Sequence, residues 1–82
     1  MEKQRNTILK LLQSGNVMSK LQFINGHHIL NPGARIEELR NRFEYPIEKI
    51  MVKNKYSKRK FAVYFIRPRV KDIDLILRSY NN

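Results

Sequence analysis

Six consecutive residues, Phe61-Ala62-Val63-Tyr64-Phe65-Ile66, are apolar or aromatic, and Lys60 and Arg67 close the run at either end. It is the longest such run in the chain and far too short to cross a bilayer, which takes about 20 residues. Its β-branched and aromatic content reads as a strand. Side chains alternate along a strand, so Ala62, Tyr64 and Ile66 share one face and Phe61, Val63 and Phe65 the other. Both faces are apolar. A hairpin lying on a helical core is ordinarily polar on its outer side, so this strand needs cover on two sides. With 82 residues there is room for one domain and one small core. The second cover must come from the remaining chain or from another copy.

The segments around this strand carry clear punctuation. Ile8, Leu9, Leu11 and Leu12 lie on one helical stripe, predicting a helix over 3–14 that stops at Gly15-Asn16. Ser19 and Gln22 have capping-box spacing, with Met18 and Phe23 placed as a hydrophobic staple, so a short second helix starts there and fades at Asn25-Gly26. Asn31-Pro32 restarts a helix, with Asn as cap and Pro preorganised at the first position. Pro32, Ile36, Leu39 and Phe43 form one expected buried stripe of a third helix over 32–42. Tyr45-Pro46 bars its continuation. Strands follow over 47–53 and 60–67, joined by a polar loop over 54–58, as a β-hairpin. Beyond Arg67-Pro68-Arg69, Val70, Ile73, Ile76, Leu77 and Tyr80 mark a last amphipathic helix, with Asp72 and Asp74 near its start and Arg78 near its end.

Three helices and then a hairpin give an α+β chain with the order of a winged helix-turn-helix, the hairpin being the wing. The expected organisation is a domain over 1–67 with a helical extension over 68–82. The stripe of the last helix is the only unused apolar surface that could cover Phe61, Val63 and Phe65. It either folds back on its own sheet or packs against a second subunit. The homodimer is the preferred expectation, since it would also supply two half-sites.

Charge then narrows the partner. Seventeen Lys and Arg stand against seven Asp and Glu, a net charge of +10, which points to polyanions, nucleic acid before anionic membrane. Between Lys49 and Lys71 there are six Lys, three Arg and no acid. Lys53, Lys55, Lys58, Arg59 and Lys60 belong to this stretch, with Tyr56 at the loop tip placed to touch a sugar or base. The wing is expected to dominate phosphate attraction and the third helix to position or read. On that helix Ala34, Glu37, Glu38 and Asn41 lie opposite the apolar stripe, flanked by Arg35 and Arg42 on one side and Gly33 and Arg40 on the other. Asn31 and the small Gly33 and Ala34 at its start allow close approach to a groove. Arg to guanine, Asn to adenine and Glu to cytosine are the available contacts. The competing reading is a solvated face held by local Arg–Glu pairs, and for the hairpin an edge protected by lysines.

Other chemistries lack their residues. Cysteine is absent, which removes disulfides, thiol catalysis and the usual structural zinc ligands. His27-His28 are adjacent and point apart, with no third ligand, so no metal or other cofactor is expected. Neither Glu37-Glu38 nor Asp72 and Asp74 join a nucleophile or a histidine in a catalytic motif, and no enzyme is read here. No signal peptide or membrane span fits, so a soluble intracellular protein is expected.

Particular residues carry a resemblance. Met18-Ser19 with Leu21, Ala34-Arg35-Ile36, Glu38-Leu39-Arg40, Tyr45-Pro46-Ile47-Glu48 and Lys60-Phe61-Ala62-Val63-Tyr64 resemble the small winged helix-turn-helix proteins encoded by bacteriophages, prophages and related mobile elements. The resemblance covers about residues 8–66 and leaves the segment after Arg67 as an extension. It implies double-stranded DNA binding in the cytoplasm of a bacterial host, with transcriptional regulation as the leading role. An excision or replication accessory role is the second reading, and inhibition of a host protein the third.

Overall fold

A computed structural model describes residues 2–53 and 59–81. The chain is α+β, with helices packed on a three-stranded antiparallel sheet. Helix α1 spans Glu2–Gln13, strand β1 Met18–Ser19, α2 Lys20–His27 and α3 Pro32–Glu37; β2 spans Glu48–Lys53, β3 Lys60–Phe65 and α4 Ile73–Asn81. The sheet order is β1-β3-β2. The apolar run thus forms the central strand, paired on both edges. Met18 and Ser19 lie opposite Tyr64 and Val63, while Glu48 to Lys53 run opposite Phe65 to Lys60. Strand β1 was not expected from the sequence, because two residues leave no alternation to read.

The local signals act as their chemistry dictates. Gly15 takes a left-handed backbone, φ +93°, and ends α1. The Ser19 hydroxyl accepts the Gln22 N–H at 3.3 Å, and the Ser19 N–H donates to Gln22 Oε1 at 2.8 Å, completing the capping box. Helix α2 continues through Gly26, where fading was expected. It stops at His28, whose left-handed φ of 55° lets the His28 and Ile29 N–H groups reach back to the Ile24 and Phe23 carbonyls. Ile29, buried just beyond, secures that turn.

Helix α3 departs from the expected pattern. After Glu37 the helix widens into one π turn, Glu38–Arg42, in which the Phe43 N–H bonds to the Glu38 carbonyl. The extra residue rotates Phe43 off the stripe of Pro32, Ile36 and Leu39. Phe43 is 46% exposed instead of buried, and its ring lies under the Arg5 and Arg42 guanidiniums at 5.0 and 5.7 Å. Left-handed Glu44 then turns the chain, and Tyr45 and Ile47 enter the core in place of Phe43.

The two faces of β3 have separate covers. Tyr64, Ile66 and the partly buried Ala62 join Ile8, Leu12, Met18, Phe23, Ile36 and Leu39 in the main core. Val63 and Phe65 are buried on the opposite face, as is Val52 of β2. Helix α4 of the same chain packs against β2 on that side and buries Ile73. The cover is therefore intramolecular. Of the two arrangements expected for the C-terminal helix, the fold-back on its own sheet is the one present, and Leu75 of that helix stays 65% exposed. The helix also starts later than expected. Arg67–Arg69 form a 3-10 turn, Val70 is extended and Asp72 is left-handed.

Candidate nucleic-acid interface

Alternation places Lys49, Met51 and Lys53 of β2 on the same side of the sheet as Lys60, Ala62 and Tyr64 of β3, the side toward the helices. Tyr64 shares the main core with Ile36 of α3. Burial pushes the Tyr64 phenol above its ordinary pKa, and the nearby Glu37 carboxylate adds to this while Arg40 opposes it. Lys49, directly across from Tyr64, therefore shares a face with α3, and the Lys20 ammonium lies against Gly33 at the start of α3. At the far end of the hairpin Lys53 sits directly opposite Lys60, both exposed. Like charges directly opposed across a pair destabilise it, so an anion at this place would relieve a repulsion built into the fold. Arg59 is exposed beside them. Lys55, Tyr56 and Lys58 lie outside the described residues.

The expected reading face of α3 is largely engaged with itself and with α1. Glu38 bridges two arginines, Arg5 Nη1 at 2.7 Å and Arg35 Nη2 at 2.7 Å. The hydrogen bond from Arg5 holds its carboxyl below the usual glutamate range against the opposing effect of burial, and the charges of Arg35, Arg5 and Arg42 add to the lowering. Arg35 and Glu38 are both only partly exposed. Glu38 therefore faces α1 more than solvent, unlike its place on the ideal helical wheel. Asn41 Nδ2 donates to Glu37 at 3.0 Å, and Arg40 pairs with the same carboxylate at 3.4 Å. Asn31 is occupied as the cap, its Oδ1 accepting from the Ala34 N–H at 3.5 Å. Arg42 is exposed, and Gly33 and Ala34 are half-buried. The local pairs weighed against base contacts are thus present in the free protein.

Two further features were not legible from the sequence. Arg67, one of the nine cations between residues 49 and 71, forms a two-pronged pair with Glu48 at 2.8 and 3.0 Å. That hydrogen bond raises its pKa and withdraws it from phosphate attraction. Glu48 stands one residue before the acid-free stretch, so a count along the chain misses the pairing. The second is a cleft of about 670 Å³ between α2 and the hairpin, lined by Lys20, Leu21, Ile24, Lys49, Met51 and Lys60 among others.

His27 and His28 are both exposed at the end of α2. No group of three or more His, Asp or Glu that could hold a metal occurs among the described residues, nor does any helix among them have the length and apolar character to cross a membrane. No protein family, curated protein or solved structure matches the chain.

Proposed function

We propose that this chain is a winged helix-turn-helix protein that binds double-stranded DNA, with α2 and α3 as the helix-turn-helix and the β2–β3 hairpin as the wing. In this reading the start of α3 enters the major groove and the basic hairpin holds the adjacent backbone or minor groove. Its role is that of a transcriptional regulator of a phage or mobile element. The observation that carries the reading is the pair of Lys53 and Lys60, directly opposed across the hairpin, with Lys49 on the same face and Lys20 at the start of α3. Order β1-β3-β2 behind three helices supports it as well.

The internal pairing of Arg35, Glu37, Glu38 and Asn41 favours a second reading on the same partner. A helix whose polar groups satisfy one another lends itself to backbone-led, sequence-tolerant binding, which suits an excision or replication accessory protein. Binding to labelled duplex across a salt series tests the shared claim. Neutralising about five phosphates gives a slope of log K against log salt of about −4 to −5. A slope near zero, or no duplex binding at low salt, overturns both readings. Selection from a random duplex pool separates them: a regulator enriches one motif, and an accessory protein enriches none or only deformable sequences.

A further inference from the structure

The cleft between α2 and the hairpin has an apolar floor and a cationic rim. Leu21, Met51 and Ile24 are 64%, 52% and 38% exposed, and Ala62 lies between them on β3. These side chains come from three elements, so their meeting is a property of the fold. Large apolar side chains clustered in a concave place mark an interaction site more than scattered surface residues do. Around them stand Lys20, Lys49 and Lys60, none of which enters an ion pair among the described residues.

We propose that this cleft docks an acidic segment of a partner protein, one presenting at least two large apolar side chains between Asp or Glu residues. The apolar anchors would fill the space over Leu21, Ile24 and Met51, and the carboxylates would meet the three lysines. Burying such anchors in a pocket supplies most of the affinity of a small interface, and the rim charges supply orientation and association rate. Charge decides between occupants. A second copy would bring its own +10 and its own three lysines against this rim. Duplex DNA satisfies the lysines but leaves the exposed Leu21, Ile24 and Met51 without apolar partners beyond thymine methyl groups. An acidic apolar segment matches floor and rim together. Lys20, Lys49 and Lys60 are also lysines that the proposed function gives to DNA, so such a segment and a duplex would compete for them, while the apolar floor belongs to the segment alone.

A random-peptide display library selected on the full-length chain tests it, followed by titration of dye-labelled winners. The expected winners combine acidic residues with two or more large apolar ones. Their affinity should fall roughly tenfold or more with Leu21→Asp plus Met51→Asp, and likewise with Lys49→Glu plus Lys60→Glu. Circular dichroism checks that each variant folds, and Leu21→Gln plus Met51→Gln replaces the first pair if it does not. No enrichment, enrichment of neutral or basic peptides, or winners indifferent to both pairs of changes overturns the proposal. Loss of duplex binding by the Leu21 and Met51 variants, with peptide binding unchanged, also overturns it and assigns the cleft to nucleic acid.

Discussion

Gly15 ends α1 with φ +93°, and a Cβ at this position would lie 2.6 Å from the carbonyl oxygen of Arg69. Gly15→Ala therefore incurs two separate costs. The left-handed backbone costs a residue with a Cβ about 1 kcal/mol. The overlap is with backbone, which has no rotamer to escape into, so either the end of α1 or the turn Arg67–Arg69 must shift. Forced repacking of this kind costs about 1–3 kcal/mol. The combined loss of roughly 2–4 kcal/mol is a large part of the stability of a small domain. At about 4–8 °C per kcal/mol for a domain of this size, the melting temperature should drop by roughly 10–25 °C. Gly15→Asn separates the two costs, because asparagine tolerates the left-handed region but carries the same Cβ. Thermal and urea melts followed by circular dichroism should show both variants destabilised, alanine more. A near-native melt for the asparagine variant removes the overlap with Arg69 from the account. A loss below about 0.5 kcal/mol in both variants refutes the reasoning altogether.

Truncation after Arg67 should uncover Val52, Val63 and Phe65 and cause aggregation or a large loss of stability, read by light scattering and melting; a soluble, equally stable product would show that α4 covers nothing. Replacing Lys53 and Lys60 by alanine should weaken binding to all duplexes alike and flatten the salt slope by about one per lost phosphate contact. Arg35→Ala or Asn41→Ala should instead lose discrimination, on the order of 1–3 kcal/mol for a true base contact, and unchanged specific and non-specific affinity would remove α3 as the reader. The depressed Glu38 carboxyl predicts a pH effect. Its folded pKa is below the ordinary value, so its contribution to stability is present above about pH 4.5 and is lost as pH falls through the lowered value. Glu38→Gln should accordingly destabilise at neutral pH and differ less from the native chain in acid. An equal difference in urea midpoint at both pH values would show that the Arg5–Glu38–Arg35 cluster contributes nothing through charge.

What the sequence made legible is what neighbouring residues decide between themselves. The capping box at Ser19 and Gln22, the Asn31-Pro32 start and the Gly15 stop are complete within a few positions, and they hold in the fold. The two-sided demand of Phe61 to Ile66 was equally readable, since alternation alone imposes it. The identity of the second cover was not, because α4 and a partner subunit satisfy it equally well on paper. Phe43 was misplaced because an ideal helical wheel assumes 3.6 residues per turn to the end, and the π turn before Tyr45-Pro46 breaks that count. The charge arrangement failed for a different reason. Arg5 and Glu38 are 33 residues apart, and Arg67 and Glu48 are 19 apart, so no local pattern marks either pairing. The cleft beside α2 escaped notice because its lining is drawn from three elements, each of which gives an unremarkable exposed residue on its own.

The central position of β3 also bears on how the chain is made. Synthesis runs from the N-terminus, so α1, α2 and α3 emerge before the strand on which they rest. Met18 and Ser19 have nothing to pair with until Tyr64 and Val63 leave the ribosome. Until then the core side chains Ile8, Leu12, Phe23 and Ile36 have no sheet beneath them. The sheet can thus close only once β3 has emerged and paired with β2 as a local hairpin. A chain interrupted before residue 60 lacks both the central strand and the helix that covers its second face.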